Sequence, residues 1–140
     1  MFQKWNGEFF DKTTLRDLGL RYQLGHGGGR CPLPSPGPSN FLVIDTSGVH
    51  RVCIDFCDCG QGDTVLHKRT QILRARWVPA TIQRPRTVFT FDALETFHEL
   101  TLQGKTTPYD FYHTLLRRTD NAQLNKRIVR VIGFHNMSFD

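Results

Sequence analysis

Alternating apolar and polar positions predict a β-hairpin near the middle of the chain. Residues 41–45 form an apolar run typical of a strand, Thr46-Ser47-Gly48 suits a turn, and residues 49–56 supply the return strand. Along the return strand, every second residue from His50 to Phe56 shares one face, and three of those four are apolar. This face is therefore expected to lie against the core.

A period of three to four residues predicts two helices in the C-terminal half. The first is expected over residues 91–102, with Thr90 as its N-cap. The second begins at Thr107-Pro108, a capping residue followed by proline at the first helical position, and continues to Arg118. The elements together predict an α+β domain in which a β-hairpin lobe packs against two C-terminal α-helices.

The segments before and after the hairpin are less regular. Thr13 or Thr14 is a candidate cap for a short helical turn that Gly19 ends. Residues 25–38 contain four prolines and five glycines, which predicts a long loop without regular structure. Residues 71–77 fit either a strand or a helical turn that Pro79 stops.

Composition narrows the class of protein. The 140 residues suit one domain, and the hydrophobic and charged fractions of 39% and 22% are those of a folded protein. No apolar stretch approaches the roughly 18 residues of a membrane span, and the first residues lack the pattern of a secretory leader. Four cysteines in such a chain predict a reducing compartment, where clustered thiols bind metal more often than they form disulfides.

Strand geometry excludes two of the candidate metal ligands. Six residues compete for a four-coordinate site: His26, Cys31, His50, Cys53, Cys57 and Cys59. At about 3.3 Å per residue, His50 lies roughly 23 Å and Cys53 roughly 13 Å from Cys57 along the strand. Donors to one zinc ion lie within about 4 Å of one another. His50 is therefore expected to be a core or turn histidine, and Cys53 a small hydrophobic residue.

The other four candidates are expected to meet at one end of the hairpin. After Phe56 the chain returns to the level of Pro38, where the loop from Cys31 enters the sheet, so Cys31 should lie beside Cys57 and Cys59. His26, on the glycine-rich part of the loop, supplies the fourth ligand. Four protein ligands close a tetrahedral zinc site, which predicts structural Zn²⁺ that staples the hairpin lobe. The alternative is a loop histidine and free cysteines that share no ion.

Several short segments together resemble one family. They are Trp5-Asn6-Gly7, Leu18-Gly19-Leu20, Leu24-Gly25-His26, V-I-D-T-S-G-V-H, F-C-D-C, L-R-A-R-W-V-P-A-T, Y-D-F-Y and T-D-N. In this order, over residues 5–121, they resemble the CxC-type cysteine-cluster domain associated with Kyakuja-Dileera-Zisupton (KDZ) transposases of fungi. The resemblance implies a metal-binding module that precedes an RNase H-like transposase core. It assigns the ligands to the same four residues, with His50 also present.

The chain departs from that family at both ends. Family members carry further Cys and His residues before the Trp-Asn-Gly segment and a long catalytic region after the helices. The resemblance therefore implies a cysteine-cluster domain at residues 1–122, a divergent tail at residues 123–140, and a detached or truncated piece of a transposon-derived gene. Transposition is not implied, because the catalytic carboxylates of that core are not in this chain.

The leading functional hypothesis is a nuclear DNA-binding module. The net charge is +5, and the densest basic segment contains Arg74, Arg76, Arg84 and Arg86, which are the predicted DNA contacts. For any single arginine, a solvated basic face is the simpler interpretation. The alternative function is interaction with transposase or chromatin proteins through exposed aromatic residues of the helices. A gene product without present function is a further alternative.

No enzymatic activity and no small-molecule substrate are expected. The sequence has no G-x-S-x-G turn, and the glycines at residues 25–29 lack the Lys-Ser/Thr of a phosphate-binding loop. A catalytic zinc ion would require water in place of His26, which is the one enzymatic alternative left open.

Overall fold

A computed structural model describes residues 2–60 and 64–119. The predicted tail at residues 123–140 lies outside this part of the chain. Among the described residues, no helix is long and apolar enough to cross a membrane. The elements in chain order are β1 (Phe2–Trp5), β2 (Phe10–Thr13), β3 (Arg21–Gln23), β4 (Pro34–Pro36), β5 (Phe41–Asp45), β6 (Gly48–Cys57), α1 (Thr64–Arg74), β7 (Trp77–Pro79), β8 (Thr87–Thr90), α2 (Phe91–Gly104) and α3 (Pro108–Thr119).

The predicted hairpin is confirmed and lies at the centre of a mixed six-stranded sheet. Strands β5 and β6 pair antiparallel, with Phe41 opposite Val52 and Asp45 opposite Gly48. The sheet order is β3-β6-β5-β8-β7, and β4 also pairs with β6. Strand β6 therefore has three partner strands, and its C-terminal end is where the N-terminal loop meets the sheet.

Both faces of the sheet are covered. Alternate residues of β5 point in opposite directions, so they pack into two different clusters. Phe41 and Val43 pack on the α1 side, in a cluster that includes Ile72. Leu42 and Ile44 pack on the other side, in a cluster with α2 and α3. Each fully buried side chain of this kind contributes about 1.5–3 kcal/mol to stability. The predicted packing of the hairpin against the two C-terminal helices is thus confirmed.

The two C-terminal helices begin where their capping residues predict. Thr90 Oγ1 accepts a hydrogen bond of 3.1 Å from the Ala93 amide and donates one of 2.8 Å to Asp45, which ties α2 to the hairpin. Thr107 Oγ1 accepts a 3.1 Å hydrogen bond from the Asp110 amide at the start of α3. Such caps are worth about 1 kcal/mol each.

The structure contains a third helix, α1, which the sequence did not predict. The segment at residues 71–77, open between strand and helix, is divided: α1 ends at Arg74, Arg76 has a positive φ of 60°, and β7 begins at Trp77. Among the described side chains of α1, only Gln71 and Ile72 are buried. Because one of these two buried residues is a glutamine, the sequence of α1 does not show a regular apolar face.

The prediction of no regular structure at residues 25–38 is wrong for one short strand. Strand β4 pairs antiparallel with β6, with Ser35 opposite Phe56. Proline is tolerated there because β4 is an edge strand and needs few amide donors. The Gly37 amide continues the pairing with a 2.9 Å bond to the Ile54 carbonyl. A Cβ on Gly37 would lie 2.6 Å from Ile54 Cγ1, so this close approach requires glycine.

Candidate metal centre

Four donor atoms converge at the end of β6. They belong to His26, Cys31, Cys57 and Cys59, and all lie within 4.8 Å of one another. His26 Nε2 is 3.1 Å from Cys57 Sγ and 3.6 Å from Cys59 Sγ, and the Sγ atoms of Cys31 and Cys59 are 3.5 Å apart. Bonds of about 2.0–2.3 Å place neighbouring tetrahedral donors roughly 3.5 Å apart. The predicted ligands therefore fit one metal ion.

Strand pairing brings the two cysteine-bearing segments together. Cys57 is the last residue of β6, and Pro34 of β4 lies opposite it, three residues after Cys31. The Asp58 amide then bonds to the Leu33 carbonyl at 3.1 Å, which carries the pairing towards Cys59. Cys31 and Cys57 are buried, whereas His26 and Cys59 are exposed. The site is thus anchored on the sheet and open to solvent on one side.

Two glutamines position the backbone of two candidate ligands, and no pattern in the sequence marks either glutamine. Gln71 is 1% exposed; its Oε1 accepts the Cys57 amide at 2.7 Å and its Nε2 donates to the Cys57 carbonyl at 2.8 Å. Gln23 Oε1 accepts the Cys31 amide at 3.0 Å. These amide side chains fix two ligand residues from α1 and β3. A buried glutamine in a short helix gives no periodic signal, so only the structure reveals this role.

Gly25 allows the histidine loop to approach Cys57. Its φ of +98° lies in the left-handed region, and an added Cβ would lie 2.6 Å from Cys57 Cβ. The next residue is His26, whose carbonyl accepts the Gly29 amide at 3.0 Å and closes a tight turn. Glycine at position 25 is therefore required both by conformation and by space.

Replacing Gln71 by leucine is expected to lower the free energy of unfolding by about 2–4 kcal/mol. The change removes both hydrogen bonds between Gln71 and the buried Cys57 backbone, and the loss of a hydrogen bond at a buried polar group is costly. Denaturant unfolding with zinc present would measure the loss. Gln103→Leu on α2, where the side chain is exposed, provides the matched control and should change stability by less than about 0.5 kcal/mol. Equal effects of the two substitutions would contradict a positioning role for Gln71.

The thiols of the C-x-C segment differ in acidity before a metal binds. A hydrogen bond from the Cys59 backbone amide, 3.4 Å from Cys57 Sγ, lowers the pKa of Cys57. The hydrogen bond with Cys57 raises the pKa of Cys59 to about 11. Cys57 is thus the first of these two thiols to ionise. The metal ligand is the thiolate, so binding a metal must displace the proton of Cys59, and metal affinity falls as the pH is lowered.

The two excluded candidates lie outside the group of four. His50 is half-buried, and its Nε2 lies 2.8 Å from Ser47 Oγ in the hairpin turn. Burial lowers the pKa of His50, which favours the neutral imidazole. Cys53 lies within β6 opposite Arg21 and is a free thiol. His50 therefore lies in β6 opposite Val43 and contacts the hairpin turn, away from the four converging donors.

The four predicted DNA-contact arginines are divided among different surroundings. Arg84 and Arg86 line one cleft, together with Lys68 and Arg69. Arg76 instead stacks over the Phe91 ring, 5.6 Å from its centroid, and lies 3.9 Å from an Asp92 carboxylate oxygen. Arg74 is exposed at the end of α1. Only two of the four are thus brought together.

Comparison with known proteins gives one family. The family model described as a CxC2-like cysteine cluster associated with KDZ transposases matches residues 15–123, well over half of the chain. The matched segment contains all four converging ligands. No curated protein and no solved structure shows significant similarity to the chain.

Proposed function

The chain belongs to the CxC2-like cysteine clusters associated with KDZ transposases, and we propose that it is a zinc-stapled DNA-recognition module of a transposon-derived protein. The observation that carries this proposal is the convergence of one histidine and three cysteines within 4.8 Å. Association with a transposase supports a nuclear location and DNA or transposase partners. The fungal origin implied by the resemblance stays a prediction.

The donor set supports zinc and a structural role. Thiolate and imidazole ligands in a tetrahedral arrangement are typical of Zn²⁺, and four protein ligands leave no position for substrate or water. A bound ion would supply a cross-link between the histidine loop, the β4 edge and the end of β6. We therefore propose no catalytic activity for this domain.

A basic surface supports contact with DNA. The chain carries a net charge of +5, and Arg84 and Arg86 converge with two further cations in one cleft. Contacts of this type bind the phosphate backbone with little dependence on base sequence.

The test is fluorescence anisotropy of the zinc-loaded protein with a labelled DNA duplex at 50–200 mM salt. Binding through several phosphates should weaken by at least about tenfold over this range, and the logarithm of affinity should fall linearly with that of salt. Absence of binding at 50 mM salt would contradict the DNA proposal.

One observation favours a second function, docking to another protein. Strands β1 and β2 pair as a separate two-stranded sheet; Trp5 and Phe10 on it, and Phe9 in the connection between the strands, are 54%, 62% and 57% exposed. A two-stranded hairpin is marginally stable alone, and clustered exposed aromatic residues are typical of protein interfaces. Salt-insensitive association with a KDZ transposase, lost in Trp5→Ser/Phe10→Ser, would support this function in place of DNA binding.

A further inference from the structure

We propose that the phosphodiester backbone of a nucleic acid binds in a cleft between α1 and the loop that joins β7 to β8. This basic cleft is defined by Lys68, Arg69, Arg84, Arg86, Pro36 and Phe56. Its volume of about 450 Å³ lies within the usual range of ligand sites, about 300–1,000 Å³. The inference deepens the proposed DNA contact, on which it rests, by assigning it a location.

The charges of the basic cleft suit the phosphodiester backbone of a nucleic acid. Its cations come from two elements, Lys68 and Arg69 from α1 and Arg84 and Arg86 from the loop, and none of the described side chains that line it is acidic. Within residues 2–60 and 64–119, none of the four forms an ion pair with a carboxylate. Guanidinium groups bind phosphate through paired hydrogen bonds, so cations on both walls can contact successive phosphates.

Hydrogen bonds to backbone carbonyls hold the loop side of the cleft. The Leu42 amide donates to the Arg86 carbonyl at 2.8 Å, and Thr81 Oγ1 donates to the Arg84 carbonyl at 3.2 Å. On the facing wall, Lys68 Nζ lies 5.3 Å from the centroid of the Phe56 ring. The backbone that carries Arg84 and Arg86 is thus held by β5 and by Thr81 of the same loop.

Three parts of the basic cleft are adjacent to the metal centre. Phe56 directly precedes the ligand Cys57. Pro36 belongs to β4, which pairs with the end of β6 and follows the ligand Cys31. Lys68 lies one helical turn before Gln71, the residue that holds the Cys57 backbone. A bound ion would cross-link the segments that carry these residues, so nucleic-acid binding is expected to weaken when zinc is removed.

The test compares two charge-matched double variants of the zinc-loaded protein. Arg84→Gln/Arg86→Gln removes two cations of the cleft, whereas Arg117→Gln/Arg118→Gln removes two exposed cations at the end of α3, on the opposite side of the sheet. Anisotropy with the same labelled duplex would give affinity and salt dependence. The cleft variant should bind about tenfold more weakly and lose about two from the slope of log affinity against log salt. The α3 variant should stay within about twofold.

A third variant and the zinc content of each protein distinguish failure of the cleft inference from failure of the DNA proposal. Lys68→Gln/Arg69→Gln changes the facing wall and should weaken binding about as much as the loop variant, with one zinc ion retained in every protein. Equal weakening by the cleft and α3 variants would overturn the inference but leave the DNA proposal intact, because binding would then follow net charge alone. No binding by the wild-type protein would overturn both.

Discussion

Replacing Cys57 by serine is expected to abolish stable metal binding and to unfold the hairpin lobe. Cys57 is buried at the end of the central strand, and His26 Nε2 lies 3.1 Å from its sulfur. Structural zinc sites contribute apparent free energies of about 10–16 kcal/mol in zinc-finger peptides at neutral pH, comparable with the whole stability of a domain. Elemental analysis would show loss of zinc, and circular dichroism would show loss of the cooperative thermal transition. Cys59→Ser should behave similarly.

Cys53 provides the matched control on the same strand. Cys53→Ser makes the same replacement of sulfur by oxygen four residues earlier, but the Cys53 thiol lies outside the converging group. The variant should retain its zinc ion and a cooperative transition. If Cys53→Ser loses zinc as readily as Cys57→Ser, the assignment of ligands by strand geometry is wrong.

Gly25→Ala is expected to have the second largest effect, a destabilisation of about 3 kcal/mol or more together with weaker zinc binding. A left-handed backbone costs a non-glycine residue about 1–2 kcal/mol. The new Cβ would also lie 2.6 Å from Cys57 Cβ, and relieving such overpacking costs about 1–3 kcal/mol. Relieving this contact would displace the loop, and with it His26, away from Cys57. Denaturant unfolding and competition with a zinc chelator would measure the two effects.

A Gly28→Ala variant distinguishes the cost of backbone strain from the cost of steric contact with Cys57. Gly28 has the same φ of +98°, but nothing lies within 4 Å of its added Cβ. Gly28→Ala should therefore carry only the strain, about 1–2 kcal/mol, and should bind zinc as tightly as the wild-type protein. Equal losses of zinc affinity in the two variants would show that contact with Cys57 does not define the site.

The hairpin, the two C-terminal helices and the convergence of the four candidate metal ligands follow from local rules. Strand rise alone separates His50 and Cys53 from Cys57, and the structure places both outside the converging group. The caps Thr90 and Thr107 predict the starts of α2 and α3, because their side chains satisfy amides that the first turn leaves free.

The remaining elements depend on tertiary contacts that no short pattern reveals. Strand β3 has three residues and is placed by the Arg21 guanidinium, which pairs with buried Asp55, a partner distant in sequence. Strand β4 is rich in proline and exists as an edge beside β6. Gln71 looks like an ordinary surface glutamine in the sequence, yet it is buried against Cys57. Each is fixed by a long-range partner, which single-sequence periodicity cannot supply.

The most direct measurement is the zinc content per chain by elemental mass spectrometry, on protein purified without chelator and beside a His26→Ala variant. We expect one zinc ion per wild-type chain, and weaker or absent zinc binding in the variant, because His26 is one of the four converging donors. No zinc in the wild-type protein, or undiminished zinc affinity without His26, would contradict the four-ligand structural site.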